Sequence, residues 1–215
     1  MKLESRRREY LKKGLTRESL KENPFDQFEI WMKQALEQGI PDATAMSLAT
    51  VDDNGQPSQR TVLLKNILDY QFVFFTNLNS KKAKDINNNP NVSLLFSWLT
   101  LERQIKIQGK ATHLSKSESL KYFLSRPYES QLSAWASNQS EKVSSRKFLE
   151  QQFASMKNKF QKGEVPLPDF WGGFKIKPSL FEFWQGRGKR LHDRFQYQIN
   201  DSNQKQQWVI ERLAP

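Results

Sequence analysis

Apolar residues recur along this chain with two different periods, and the change of period predicts where helices and strands lie. Between Asn23 and Gly39, six apolar residues repeat at helical spacing: Phe25, Phe28, Trp31, Met32, Ala35 and Leu36. Asn23 can cap the start of the helix, Pro24 fits its first turn and Gly39 ends it. The pattern therefore predicts an amphipathic helix near the N-terminus.

From Thr44 onward the apolar period falls to two, which indicates strands with one buried face. Strands are predicted over residues 45–51, 59–65, 71–76, 92–98, 103–114, 171–176, 180–184, 191–198 and 207–212. An Asp-Asp-Asn-Gly turn joins the first two strands as a hairpin. Further helices are predicted over 80–87, 117–125 and 144–161. Short connections between strands, with the helices segregated, predict an antiparallel α+β fold that closes into a small barrel with peripheral helices.

The composition of the 215 residues narrows the class of protein. A chain of this length fits a single domain, predicted over 23–215, and residues 1–22 lack a clean apolar period and read as a basic arm or lid. The absence of cysteine excludes disulfides and thiolate chemistry, and two histidines leave a zinc site almost without ligands, so no metal is expected. No apolar run approaches a membrane span or a signal-peptide core, so a cytoplasmic location without membrane contact is expected.

The net charge of +11 points to anionic partners. Residues 1–22 carry eight Lys or Arg against four Glu, and the remaining excess is scattered along the chain. Scattered charge fits several small phosphate sites at least as well as one nucleic-acid groove. A basic nucleic-acid-binding barrel stays open as an alternative, although most aromatic residues fall at core periods and no RNA-binding signature occurs.

The densest group of cations is the run Trp-Gln-Gly-Arg-Gly-Lys-Arg-Leu-His-Asp-Arg at 184–194. If the run is a strand, Arg190, His192 and Arg194 share one face. Their mutual repulsion favours an anion lying between them. A solvated edge strand whose charges discourage aggregation is an equally good explanation of the run alone.

Two other groups can bind phosphate, although no glycine-rich nucleotide loop is present. Two lysines follow Ser80 where a strand meets a helix start, so free backbone N–H groups, the helix dipole and two ammonium groups could meet an anion there. The alternative is an ordinary capped helix whose lysines are solvated. Tyr122, Arg126 and Ser130 are spaced by four, and the first two share a predicted helix face. The alternative is that Tyr122 packs in the core and Arg126 lies on the surface.

Arg60 and Lys65 flank a predicted strand at an odd separation, which places them on opposite faces of a regular strand. Either a bulge intervenes or the two serve different parts of a site. The difficulty of bringing both to one site within one barrel also favours a dimer.

Taken in order, these segments resemble the pyridoxine 5′-phosphate oxidases, flavoenzymes of vitamin B6 metabolism. The resemblance rests on residues 7–10, 60–65, 79–83, 101–104, 125–127, 139–140, 163–173 and 184–194. It implies a homodimeric FMN-binding split barrel of Greek-key type, with its two sites at the subunit interface. The implied activity is the oxidation of pyridoxine 5′-phosphate or pyridoxamine 5′-phosphate to pyridoxal 5′-phosphate, with oxygen reduced to hydrogen peroxide. Another split-barrel flavin oxidoreductase is the nearest alternative.

The resemblance also implies site residues by position. The implied FMN ligands are Arg60, Thr61, Val62, Leu63, Leu64, Lys65, Phe75, Thr76, Lys81, Lys82, Gln104, Gln139, Ser140, Trp184 and Arg194. The implied ligands of the substrate phosphate are Lys65, Tyr122, Arg126 and Ser130, with Arg190, Leu191 and His192 by the pyridine ring and Arg190 and His192 catalytic. The implied lid is Arg7, Arg8, Glu9 and Tyr10, and Asp42 is similar to an acidic residue near the family's active site. Phe75 stands where many relatives have Tyr, and Lys81 where they often have Arg.

Overall fold

The computed structural model describes residues 5, 8–161, 163–200 and 207–215. Its α-helices in the described residues are α1 (Pro24–Glu37), α2 (Lys81–Asn88), α3 (Lys116–Ser125), α4 (Tyr128–Ala136) and α5 (Arg146–Lys159). Its strands are β1 (Ala45–Val51), β2 (Pro57–Leu63), β3 (Asn66–Leu68), β4 (Gln71–Asn77), β5 (Asn91–Trp98), β6 (Arg103–His113), β7 (Trp171–Gln185), β8 (Asp193–Asn200) and β9 (Gln207–Leu213).

The strands form one antiparallel sheet in the order β2-β1-β5-β6-β7-β4-β3, with β8 and β9 added beside β7. The long strand β7 pairs with β4 through its first half, with β8 through its second half, and with β6 along most of its length. The sheet curls strongly into a half-barrel, and the helices lie around it. The predicted α+β antiparallel split-barrel class is confirmed.

Three sequence predictions about the longer elements were wrong, and the three-residue strand β3 was not predicted. The two strands expected at 171–176 and 180–184 are one strand, because the ladder shifts register at Gln108 and Gly109 and thereby accommodates Pro178. A Cβ on Gly109 would lie 2.3 Å from the carbonyl oxygen of Lys177, so only glycine fits at this bulge. Helix α4 was missed, because Arg126-Pro127 was taken only as the end of α3.

The third error concerns the centre of the cationic run at 184–194. Residues 188–190 form a tight 3-10 turn, and β8 begins at Asp193, two residues later than predicted. Lys189 and Arg190 have φ values of 57° and 60°, which no strand residue adopts. Arg190, His192 and Arg194 therefore do not share the face of one strand.

The core is dominated by phenylalanine. Helix α1 lays Phe28 and Trp31 against the sheet, where Phe28 meets Phe72 and Phe96 edge to face at centroid distances of 4.9 and 5.1 Å. A second cluster gathers Phe123, Leu132, Val165 and Trp171 beneath α3 and α4. This second cluster supports one wall of the cavity described below.

The described part of the predicted arm packs on the barrel. Leu15 and Leu20 are 5% and 7% exposed and belong to the main core cluster. The Tyr197 hydroxyl donates to the Lys21 carbonyl at 2.7 Å. Two leucines five residues apart carry no periodic signal, which is why the sequence pattern did not reveal their burial. The boundary between an arm at 1–22 and a barrel at 23–215 stays a prediction.

Candidate active site

A cavity of about 800 Å³ opens between the ends of β2 and β4 and the helices α3 and α4. We call it the anion cavity; its lining residues are Arg60, Thr61, Val62, Leu63, Lys65, Phe75, Thr76, Asn77, Lys82, Tyr122, Arg126, Pro127, Ser130, Ser133, Ala134, Ser137, Gln139 and Trp171. Four of these are cations, and no carboxylate lines the cavity among the residues that the structure describes. A ligand carrying negative charge is the natural complement to such a wall.

Arg60 and Lys65 both line this cavity, so the predicted conflict between their faces was wrong. Strand β2 ends at Leu63, and the chain leaves the strand before Lys65, so the alternation rule does not extend to Lys65. Their positions therefore no longer argue for a dimer. Leu64 points the other way and is 8% exposed within the main core cluster.

Lys82 stands on the first turn of α2 with its ammonium group at the cavity wall. It donates to Gln139 Oε1 at 2.7 Å, to Thr76 Oγ1 at 3.1 Å and to Ser80 Oγ at 3.2 Å, all of which are neutral acceptors. Burial, together with the positive charge of Arg60, lowers the pKa of Lys82 to about 8. An anion beside Lys82 would raise this pKa again by favouring the charged form.

Arg126 carries the clearest sign that a ligand belongs here. Its Nη1 atom is buried and has no hydrogen-bond partner among the residues that the structure describes. Its guanidinium lies 4.9 Å from the centroid of Trp171, and burial lowers its pKa. A buried guanidinium donor facing a carboxylate-free cavity fits a phosphate group.

The rest of the predicted clamp surrounds Arg126. Because a residue before proline avoids helical geometry, α3 ends at Ser125, and Arg126 leaves it with an extended backbone. The predicted shared helix face of Tyr122 and Arg126 was therefore wrong, yet Tyr122, Arg126 and Ser130 all reach the same cavity. Tyr122 stacks on Phe75 at a centroid distance of 3.9 Å. Six lining residues were missed: Asn77, Pro127, Ser133, Ala134, Ser137 and Trp171. Trp171 stands at a strand start, a position that gave no functional signal.

Two predicted cofactor ligands are turned away from the cavity. The Lys81 ammonium donates to Asp85 Oδ1 at 3.0 Å and to Asp52 Oδ2 at 3.4 Å. The Ser140 hydroxyl accepts from the Lys81 backbone N–H at 3.2 Å. Both residues line a smaller neighbouring cavity of about 370 Å³.

The remaining predicted ligands form a separate group on β6, β7 and β8. Gln104 pairs with Trp184, and Trp184 pairs with Arg194, so the three stand in one row across adjacent strands. Arg194 donates from Nε to Glu182 Oε1 at 2.9 Å and from Nη1 to the Ala214 carbonyl at 2.7 Å. None of this row lines the anion cavity of the same chain.

Beside this row lies the group that we call the ring cluster, consisting of Tyr10, Trp184 and His192. Tyr10 meets Trp184 and His192 edge to face at 5.7 and 5.4 Å. His192 Nδ1 accepts a hydrogen bond from the Arg187 backbone N–H at 3.1 Å. A neutral His192 therefore carries its proton on Nε2 and presents it as a donor. Arg190 and Leu191 are exposed beside the cluster.

Carboxylates dock the N-terminal segment onto the ring cluster. Glu102 accepts from the backbone N–H groups of Leu11 and Lys12 at 3.1 and 3.0 Å and from Arg8 Nη2 at 3.0 Å. The Lys189 backbone donates to Glu9 Oε1 at 3.0 Å. Arg7 lies outside the described residues. Asp42 is exposed and lines neither the anion cavity nor the ring cluster.

A curled antiparallel barrel with a cationic, carboxylate-free cavity defines a class of small barrels suited to phosphorylated ligands. The chain belongs to the pyridoxamine 5′-phosphate oxidase family. The family profile described as pyridoxamine 5′-phosphate oxidase matches residues 32–160, and that of the pyridoxine 5′-phosphate oxidase C-terminal dimerisation region matches residues 171–215. The resemblance inferred from the sequence is confirmed.

Similar proteins match this chain over its whole length. A pyridoxine/pyridoxamine 5′-phosphate oxidase from Teredinibacter turnerae is 59% identical, and one from Crocosphaera subtropica is 57% identical, each with both chains covered completely. Among solved structures, PhzG from Burkholderia lata in complex with tetrahydrophenazine-1-carboxylic acid superposes with a TM-score of 0.84 at 27% identity, covering 92% of this chain and 95% of that one.

A more distant structure supports the fold alone. It is a pyridoxamine 5′-phosphate oxidase-related, FMN-binding protein from Nostoc punctiforme, with a TM-score of 0.72 at 18% identity. The alignment covers 91% of this chain and all of that one. In the described residues of this chain, no helix is long and apolar enough to cross a membrane.

Proposed function

We propose that this protein is an FMN-dependent oxidase that converts pyridoxine 5′-phosphate or pyridoxamine 5′-phosphate to pyridoxal 5′-phosphate and passes the electrons to oxygen, forming hydrogen peroxide. The full-length identity of 59% to a pyridoxine/pyridoxamine 5′-phosphate oxidase supports the reaction. The observation that carries the assignment to the anion cavity is the buried, unpartnered Nη1 of Arg126.

The cavity offers two groups of donors, one for each phosphate. Arg60, Lys82 and Thr76 would hold the phosphate of FMN, with Gln139 closing over it. The clamp for the substrate phosphate would be Lys65, Tyr122, Arg126 and Ser130. Two fixed phosphates would orient the substrate ring against the cofactor. Holding the reacting groups close together in this way lowers the activation barrier.

FMN, when bound, supplies the acceptor for the hydride that leaves the substrate. Arg190 would restrain the pyridine ring and favour its developing charge. His192 would donate a hydrogen bond from its Nε2–H to an oxygen of the substrate and so hold the ring in place, because its Nδ1 already accepts from the Arg187 backbone N–H. Tyr10 packs on Trp184 and His192 and would exclude water from that side.

We further propose that the active protein is a homodimer with composite sites. The ring cluster and the Gln104–Trp184–Arg194 row do not line the anion cavity of their own chain. If both groups serve one cofactor, a second copy has to supply one of them. The match to a C-terminal dimerisation region over 171–215 supports this arrangement.

Arg126→Ala tests the assignment of the substrate clamp. We expect the KM for pyridoxine 5′-phosphate to rise by roughly 10- to 100-fold, since a hydrogen bond to a charged group contributes about 1.5 to 3 kcal/mol. Oxidation of unphosphorylated pyridoxine should not change, because it lacks the group that Arg126 binds. The measurement is steady-state kinetics on both compounds at fixed ionic strength and saturating FMN.

Arg146→Ala is the matched control, because Arg146 is an exposed arginine on α5 that pairs only with Glu150 among its described contacts. It should behave like the wild type on both compounds. Equal penalties of Arg126→Ala on the two compounds would contradict the clamp and assign Arg126 to the fold.

A further inference from the structure

A buried carboxylate stands behind the cationic wall of the anion cavity. Asp85, on α2, is 4% exposed and does not line the cavity. Its Oδ2 accepts from the Thr50 hydroxyl at 2.7 Å, and its Oδ1 accepts from Lys81 Nζ at 3.0 Å. Arg60 Nη2 lies 3.9 Å from the same carboxylate. Neither Thr50 nor Asp85 belongs to the residues implied by the family resemblance.

The direction of every hydrogen bond in this group is fixed by chemistry. A guanidinium can only donate, so Arg60 Nη1 donates to Thr50 Oγ1 at 2.7 Å. The single hydroxyl hydrogen of Thr50 then goes to Asp85, which only accepts when ionised. The result is a directed relay from guanidinium to hydroxyl to carboxylate. Thr50 is fully buried on β1, so water does not substitute for it.

The relay fixes which part of the guanidinium remains for a ligand. Arg60 Nη1 also donates to the Leu48 carbonyl at 3.1 Å, and Nη2 donates to Ser58 Oγ at 2.8 Å. These three bonds use three of the five N–H hydrogens of a guanidinium. The other two, one on Nε and one on Nη2, make no hydrogen bond with the described residues, and Arg60 lines the cavity.

We propose that Thr50 and Asp85 are positioning residues that hold Arg60 in the orientation in which it binds the phosphate of FMN; this inference rests on the proposed function. A free arginine side chain loses considerable rotamer freedom when it binds, and a held one loses less. The polar partners behind the guanidinium are thus arranged before the ligand arrives. Lys81 serves the relay by neutralising Asp85 rather than by contacting the cofactor.

Thr50→Val removes the hydroxyl with little change in side-chain volume and no change in charge, whereas Thr50→Ser keeps the hydroxyl. Flavin-free full-length protein is titrated with FMN and, separately, with riboflavin, which lacks the phosphate, and binding is followed by quenching of flavin fluorescence. We expect Thr50→Val to weaken FMN binding about tenfold, as for one charged hydrogen bond. Riboflavin affinity should not change, and Thr50→Ser should bind both as the wild type does.

Thr50→Val binding FMN as tightly as the wild type, or losing FMN and riboflavin affinity equally, would overturn the relay. Thr50→Ala repeats the comparison if the valine variant does not fold, and retained riboflavin binding reports an intact site in either one. A wild type with no preference for FMN over riboflavin would instead overturn the proposed cofactor, and the relay with it. A wild type that prefers FMN, with unchanged Thr50 variants, would overturn the relay alone.

Discussion

The anion cavity and the ring cluster are built in different ways. The cavity is lined from β2, β4, α2, α3 and α4, and the acceptors that hold Lys82 are neutral side chains. The ring cluster lies where the N-terminal segment meets the turn at 188–190, and carboxylates hold it through backbone N–H groups. Glu102, Lys189 and Arg190 near it have left-handed backbones, with φ between 56° and 60°.

If the proposed roles hold, this difference separates the region that binds phosphate from the region that acts in the reaction. Regular elements fix the cationic cavity before any ligand arrives, as a site for tight phosphate binding requires. Side chains placed by short turns and by a docked terminal segment belong to the less stable parts of a fold, which open most readily. We therefore expect changes in the cavity to act on affinity and changes around the ring cluster to act on turnover.

The largest effect is expected from His192→Ala. Turnover should fall by roughly 100-fold, the lower end of the range for a lost proton donor or acceptor. FMN affinity should stay within about twofold of the wild type, because the histidine does not line the anion cavity that we propose for the phosphates. The measurements are turnover at saturating FMN and a separate flavin titration.

His113→Ala is the matched control, since His113 is the other histidine of the chain and contacts Asn87 and Phe174 at the end of β6. It should leave turnover unchanged. His192→Gln adds a distinction, because glutamine can donate an N–H but cannot take a proton. If His192→Ala loses flavin but has normal turnover once FMN is saturating, His192 serves cofactor binding and not the reaction.

A smaller effect is expected from pH, through Lys82. The pKa of Lys82 is lowered to about 8, so its positive charge is present below that pH and is lost as pH rises through it. Under the proposed role, the charged form of Lys82 binds the phosphate of FMN, so the Kd for FMN should be flat up to about pH 8 and then rise by up to about tenfold per pH unit. Titration of flavin-free protein between about pH 7 and 9 measures it.

Lys82→Arg keeps the charge over this range and should flatten the profile. Lys82→Met should bind FMN more weakly at pH 7 and show no inflection. Lys84→Met, which removes an exposed lysine of the same helix, should reproduce the wild-type profile. An inflection near pH 8 that persists in Lys82→Met would attribute the pH dependence to another group.

The sequence predicted the strands and helices better than the turns and the connections between them. Apolar periods of two and of three to four residues located most strands and helices, because those periods come from burial of one face. Tyr122, Arg126 and Ser130 were singled out from the sequence and do line one cavity, although not through the predicted helix face. Their role as a phosphate clamp stays a prediction. Helix α4, which places Ser130, begins directly after Pro127 and has only Leu132 buried, so it gives a weak apolar pattern.

The sequence pattern did not predict contacts between segments that lie far apart along the chain. The bonds from Leu11 and Lys12 to Glu102 span about ninety residues, and the Thr50–Asp85 bond spans 35. Such contacts follow from how strands pair and helices pack, which no local pattern encodes. The left-handed backbones at Lys189 and Arg190 were equally hidden, since neither residue type favours positive φ.

The smallest effect is expected from Glu102→Gln, which tests how the N-terminal segment is docked. The amide group retains one acceptor oxygen where the carboxylate has two, and it loses the ion pair with Arg8. Arg8 is 56% exposed, so the ion pair itself contributes little, about 0.2 to 1 kcal/mol. We expect kcat/KM to fall about threefold and the affinity for FMN to stay unchanged, because Glu102 does not line the anion cavity.

Hydrogen exchange links this kinetic change to the segment itself. The amides of Leu11 and Lys12 donate to Glu102, so they should exchange several-fold faster in Glu102→Gln, while amides of the β6–β7 ladder keep their protection. Glu150→Gln, which breaks an exposed pair with Arg146 on α5, should change neither quantity. A kinetic loss without faster exchange at Leu11 and Lys12 would mean that Glu102 acts on the reaction by another route. In that case the ring cluster would be as firmly built as the anion cavity, and the contrast between them would fail.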